Sequence, residues 1–156
     1  MKVEKAQTSD INALAELRIE YLREDHGALS EEETARILNS LPEYFRTHLN
    51  RDLFCYILRD GKEIVSCAFL LMIEKPMSPA FINGKTGTVL NVYTRPSFRH
   101  RGYAGAVMRQ LVEDAGEMDL CTVELKATDA GYSLYRSVGF TDDDSAYHRM
   151  KWLSSR

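Results

Sequence analysis

Cysteine is scarce in these 156 residues: Cys55, Cys67 and Cys121 form no Cys-x-x-Cys pair and no close cluster with histidine. The four histidines, His26, His48, His100 and His148, are equally scattered. That spacing gives no basis for a structural zinc site or a disulfide scaffold, and no metal is expected. Each cysteine sits in an apolar, strand-like stretch, which predicts buried free thiols in a reducing compartment and a cytoplasmic protein. Proline is rare and glycine modest, at four and nine residues, against 44% hydrophobic residues. Collagen, low-complexity and disordered chains are excluded by that balance. A basic excess is missing too: 20 Lys and Arg face 23 Asp and Glu, a formal net charge of −3. A protein that neutralises nucleic-acid phosphates is not expected from such a balance. The longest apolar stretch, Ile64 to Ile73, is broken by Ser66 and is too short to cross a bilayer. The opening MKVEKAQTSD carries no apolar stretch behind its lysines, so neither a secretory leader nor a membrane partner is expected. The length predicts one domain over residues 1–156, with enough chain to bury a core unaided.

What is present is a sequence of alternating textures. Val3 to Ala6 reads as a short strand. Thr8, Ser9 and Asp10 offer N-caps to a helix carrying Ile11, Leu14, Leu17, Ile19, Tyr21 and Leu22, which Gly27 ends. Ser30 and Glu33 have the spacing of a capping box and open a second helix, which Pro42 is expected to break or restart. Leu53 to Leu58 and Glu63 to Ile73 are apolar runs either side of the turn Arg59-Asp60-Gly61-Lys62, a hairpin buried on both faces. A loop over Lys75–Gly87 leads to a strand over Thr88–Thr94. A helix over Gly102–Ala115 follows, then a half-buried strand over residues 121–126 and a short helix over Asp129–Ser137. Ala146 to Leu153 reads as a final strand with His148, Met150 and Trp152 on its inner side, or else as a dimer contact. The strand–helix–strand unit around residues 88–126 implies a parallel pair, and the remainder reads as antiparallel. The fold class is therefore α/β, a mixed and mostly antiparallel sheet with helices on both faces, in the order β-α-α-β-β-β-α-β-α-β.

One segment carries chemistry: Leu90-Asn91-Val92-Tyr93-Thr94-Arg95-Pro96-Ser97-Phe98-Arg99-His100-Arg101-Gly102-Tyr103-Ala104-Gly105. A strand ends in a basic, glycine-containing turn that opens a helix. The first turn of a helix has unpaired N–H groups and partial positive charge, and small residues let a ligand approach them. This describes a phosphate or pyrophosphate cradle, with a plain basic helix start as the alternative. The turn lacks the GxxxxGK[ST] of a P-loop and the GxGxxG of a dinucleotide site.

Arg99-His100-Arg101-Gly102-Tyr103-Ala104 resembles the Arg/Gln-x-x-Gly-x-Gly/Ala signature of the GNAT (Gcn5-related) N-acetyltransferase family, with Pro96 three residues earlier. Downstream, Leu134-Tyr135-Arg136-Ser137-Val138-Gly139-Phe140 resembles that family's Leu-Tyr-x-x-x-Gly-Phe element. The resemblance implies a sheet splayed at its parallel pair and an acetyl-CoA co-substrate. It implies that the backbone from Arg99 through His100, Arg101, Gly102, Tyr103 and Ala104 to Gly105 holds the diphosphate. The main chain of Val92, Tyr93 and Thr94 would hold the pantetheine, and Tyr132 would touch the coenzyme. Tyr135 would be the general acid, its alternative being a core aromatic. The acceptor implied is an amine of a small molecule or peptide. No general base stands out; Glu74, Asn91, Asp25, His26 and Glu20 are candidates, as is a water chain. Glu24, Asp25 and Glu31 to Glu33, with Asp142 to Asp144, would form acidic walls for a cationic acceptor; plain helix-start and turn chemistry is the alternative. A catalytically idle acyl-CoA-binding sensor is the rival from another class.

Overall fold

The computed structural model describes residues 1–155. Its sheet contains β1 (Glu4–Lys5), β2 (Leu53–Asp60), β3 (Glu63–Glu74), β4 (Lys85–Thr94) and β5 (Thr122–Glu124), side by side in that order. Neighbours from β1 to β4 are antiparallel, and β4 and β5 are parallel. Helices α1 (Ile11–His26) and α2 (Glu31–His48) lie between β1 and β2 in the chain. Helix α3 (Tyr103–Glu117) joins β4 to β5, and α4 (Asp129–Ser137) follows.

The central strands are apolar on both sides because both sides are covered. Along β2, Cys55 and Ile57 enter the cluster with Leu14, Leu17 and Phe45 of α1 and α2. Tyr56 and Leu58 enter the opposite cluster with Val107, Met108 and Leu111 of α3. This two-residue alternation turns one continuous apolar run into the floor of two half-cores.

Helix α2 begins as its sequence directs. The Ser30 hydroxyl accepts from the Glu33 amide at 3.0 Å, and the Ser30 amide donates to the Glu33 carboxylate at 3.0 Å. The break expected at Pro42 does not occur; α2 runs through it to His48. Proline removes the N–H that would reach the Leu38 carbonyl, but Leu38 is exposed, so water can replace that donor.

Three further expectations are corrected. No strand forms over Ala146–Leu153; that segment has no regular structure, and Trp152 is 85% exposed rather than inward-facing. A strand needs a hydrogen-bonded neighbour, and this segment makes no ladder with β5 or any other strand among the described residues. Cys121 is exposed, because β5 is the last strand of the sheet and only Thr122–Glu124 pair with β4. Strand β4 starts at Lys85, within the expected loop, by pairing with Glu74.

Candidate active site

The parallel pair is short. Thr86, Gly87 and Thr88 pair with Thr122, Val123 and Glu124, and there the ladder stops. Strand β4 continues to Thr94, while the chain after β5 turns away into α4. Among the described residues, the edge of β4 that faces this gap therefore has no strand partner beyond Thr88, and its main-chain groups are available to a ligand. Opposite Cys67 and Phe69 of β3, β4 carries one extra residue, and Asn91 adopts φ 54° there. Asn91 is buried; its side-chain oxygen accepts from Arg18 of α1 at 3.2 Å, and its amide reaches the Cys67 sulfur at 3.6 Å. Burial pushes the Cys67 thiol up to about 12, so it stays protonated and is no nucleophile.

After Thr94 the chain makes a single 3-10 turn over Pro96–Phe98 and then enters α3. Gly102, at φ 82° and ψ 9°, is the last residue before the helix. The backbone curls there in the left-handed region, where glycine is the unstrained choice. The α3 ladder reaches back to Gly102 through the Ala106 amide at 3.1 Å. The amides of Tyr103, Ala104 and Gly105 therefore have no partner within the helix. They point where a negative ligand is favoured.

The arginines of the turn are already engaged. Arg99 donates through Nε to the Thr94 carbonyl at 2.8 Å and through Nη2 to Glu24 of α1 at 2.6 Å, with its guanidinium over the Tyr93 ring. Arg101 donates to the Ser97 carbonyl and lies over Phe98. Arg95 is held between Glu20 and Glu63. Arg95 and Arg99 tie the turn to α1, and Arg101 braces it from within; the donors left open are backbone amides.

Two cavities meet at the gap. A groove of about 690 Å³ is lined by Val92, Tyr93, Thr94, Arg99, His100, Gly102, Tyr103, Ala104, Gly105 and Tyr135, with Glu24 and Asp25 of α1 and Gly131 of α4. A smaller cavity of about 330 Å³ is lined by Asn91, Glu124, Lys126 and Arg149 among others. Tyr21, Val92, Thr128 and Tyr135 line both. Tyr135 is half-buried, its ring edge-on to Phe140 at 6.3 Å. Burial, followed by the neighbouring Tyr21 phenol, raises its pKa above the ordinary phenol value. Tyr21 is raised as well, by burial first and then by Asp25, against the lowering effect of Arg18.

Most of the residues singled out from sequence converge on the groove, but two do not line it. Tyr132 turns outward, its hydroxyl donating to Asp142 at 2.9 Å, and the Arg101 side chain folds back on the turn. Among the base candidates, Asn91 lines the smaller cavity and Asp25 the groove; Glu20 is tied to Arg95, and Glu74 pairs with Lys85 far along the sheet. The acidic walls are not assembled: Asp142 to Asp144 line neither cavity, and Glu33 lies on a separate groove of α2. Glu24 and Asp25 alone of the acidic set reach the gap, and Glu24 is paired with Arg99. Tyr21 is the residue missed by sequence reading. It looked like one more apolar position of α1, and only the packing of α1 across the gap brings it beside Tyr135.

Solved acetyltransferases share this fold. A predicted acetyltransferase from Clostridium acetobutylicum, solved with acetyl-CoA, superposes with a TM-score of 0.82 at 28% identity, over 96% of this chain and 95% of that one. A GCN5-related N-acetyltransferase from Ralstonia eutropha shares the fold with a TM-score of 0.79 at 22% identity, covering 96% and 97% of the two chains. The model of the acetyltransferase (GNAT) family matches residues 11–140, and the chain belongs to that family. An uncharacterised N-acetyltransferase (ycf52) of Porphyra purpurea is 31% identical over 70 residues, 45% of this chain and 40% of that relative's length.

Proposed function

We propose that the protein is an acetyl-CoA-dependent N-acetyltransferase, a cytoplasmic enzyme with one domain over residues 1–156, acting on a primary amine of a small molecule or peptide. A homodimer is part of this reading. The observation that carries it is the continuous path from the open α3 N-terminus, along the unpaired edge of β4, to Tyr135 and into a second cavity.

The site fits the coenzyme. A Cβ built on Gly102 meets nothing within 4 Å, so the approach to the α3 amides is clear. The amides of Tyr103, Ala104 and Gly105 hold the diphosphate. The main-chain groups of Val92 to Thr94 that face the gap, rather than β3, hold the pantetheine as a strand is held. The coenzyme supplies an acetyl thioester. An acceptor amine enters through the smaller cavity as the neutral base, since an ordinary alkylammonium has a pKa of about 10.4. As its nitrogen bonds to the acetyl carbon and the C–S bond breaks, Tyr135 donates its phenolic proton to the departing sulfur, while the proton shed by the nitrogen passes to water and the Tyr135 phenolate is reprotonated from solvent. Its raised pKa keeps that proton in place at neutral pH. Asn91 takes no proton; its side chain is held between Arg18 and Cys67.

The test is free-thiol release from acetyl-CoA with a panel of diamines, amino acids, aminoglycosides and peptide N-termini. Amine-dependent release is expected. Saturable coenzyme binding without release from any amine means the idle sensor instead; neither binding nor release overturns both.

A further inference from the structure

The smaller cavity shares Tyr135 with the coenzyme groove but includes no residue of the α3 start. Its charged lining residues are Glu124, Lys126 and Arg149, set among apolar walls that include Leu90 and Leu125. A volume of about 330 Å³ stands at the lower end of small-molecule sites, which run from about 300 to 1,000 Å³. Such a space suits a small free molecule.

Two of the three charges are cations, and neither is firmly paired. Lys126 makes no ion pair among the described residues. Arg149 meets Asp143 at 3.8 Å, with the two side chains 71% and 70% exposed. A pair so long and so solvated leaves the guanidinium free to turn its other donors to a ligand. The arginines on the coenzyme side differ: Arg95 and Arg99 are each held by carboxylates. Lys126 and Arg149 line no part of the coenzyme groove, so the diphosphate gives them no counter-charge. Cations in a cleft with apolar walls concentrate their field on whatever enters, and they repel a second cation. Glu124 ends β5 opposite Thr88 and faces the same space, where it can draw in an ammonium group.

We infer that the acceptor is a small amine bearing its own anionic group, a carboxylate or a phosphate, which Lys126 and Arg149 hold while the amine faces Tyr135. This rests on the acetyltransferase reading and names its substrate class. Lysine supplies a point charge, and arginine a planar fork that suits either anion.

Initial rates of acetyl transfer to matched amines test it. Leucine against leucinamide reads a carboxylate, phosphoethanolamine against ethanolamine reads a phosphate, and putrescine is the cationic amine. In at least one pair, kcat/KM for the anionic member is expected to exceed that of the neutral member by about 10-fold or more, the scale of one hydrogen bond to a charged group. The pair that shows it identifies the group. In Lys126→Met and in Arg149→Gln the ratio is expected to fall to about 3 or less through the KM of the anionic amine, and in Lys126→Arg to persist. The ratio compares two substrates on one protein, so the folded fraction of a variant cancels. Equal rates within both pairs, a preference for putrescine, or a ratio that Lys126→Met and Arg149→Gln both leave intact overturns the inference. A higher KM for acetyl-CoA in those variants with the ratio unmoved assigns the two cations to the coenzyme and overturns it as well. In each of these cases acetyl transfer continues and the acetyltransferase reading stands; no transfer to any amine overturns both.

Discussion

Replacing Tyr135 with phenylalanine is expected to lower kcat by about 10²–10⁴-fold, the usual contribution of one positioned proton donor. That corresponds to about 3–5 kcal/mol of barrier, at about 1.4 kcal/mol per factor of ten. The ring remains, and its edge-on contact with Phe140 survives, so the KM for acetyl-CoA is expected to change by no more than about 3-fold, since binding shared by ground and transition state is untouched. The pH profile adds a second readout. Burial and Tyr21 raise the Tyr135 pKa, so the donor is protonated through the neutral range and loses its proton only above the ordinary phenol value. Wild-type kcat therefore has no alkaline fall from this group below about pH 10. Steady-state kinetics on both proteins decide the matter: an unchanged kcat in the variant means that another group or solvent supplies the proton.

Gly102→Val is expected to weaken coenzyme binding by at least about 10-fold, or about 1.4 kcal/mol. Strain lowers the stability, and the new side chain lowers the affinity. Gly102 sits at φ 82°, a conformation costing an L residue about 1–2 kcal/mol, and more where the side chain is β-branched. The new side chain also projects into the open space before the α3 amides, where no atom of the protein lies within 4 Å. The Cβ thus meets strain but no close neighbour, so Tm should fall by about 2–8 °C, at about 2–4 °C per kcal/mol for a chain of this size. Gly116→Ala is the control. Gly116 lies near the end of α3, with ordinary φ and nothing within 4 Å of an added Cβ. Alanine there is expected to hold or raise Tm and leave coenzyme affinity as it is. Calorimetric titration with acetyl-CoA and thermal melts measure both; equal affinity for wild type and Gly102→Val would remove the α3 amides from the binding site.

Much of this was legible because the determinants are local. The capping box of Ser30 and Glu33, the turn at Gly61 between two apolar runs, and the glycine at the head of α3 act over a few residues, and spacing alone reveals them. Features that depend on distant contacts were not legible. Proline at 42 reads as a break until the solvent beside the Leu38 carbonyl is considered. The extra residue in β4 at Asn91 exists only as a mismatch of register with β3. Tyr21 and Tyr135 are far apart in the chain and become neighbours only because α1 and α4 flank the same gap. Arg99 shows the limit of motif reading in another way: it marks the signature, yet its guanidinium holds Thr94 and Glu24, which fixes the turn to α1. The alternation over residues 146–153 has a strand's period, but a pattern names no partner, and among the described residues the segment joins no ladder.

The central claim is that the α3 amides and the unpaired edge of β4 bind the coenzyme with its thioester beside Tyr135. A crystal structure of the protein with acetyl-CoA tests it most directly. The predicted result has diphosphate oxygens about 3 Å from the amides of Tyr103, Ala104 and Gly105, the pantetheine along Val92 to Thr94, and the sulfur within reach of the Tyr135 hydroxyl. A coenzyme seated anywhere else, or a gap between β4 and β5 that stays free of it at saturating concentration, would contradict the claim.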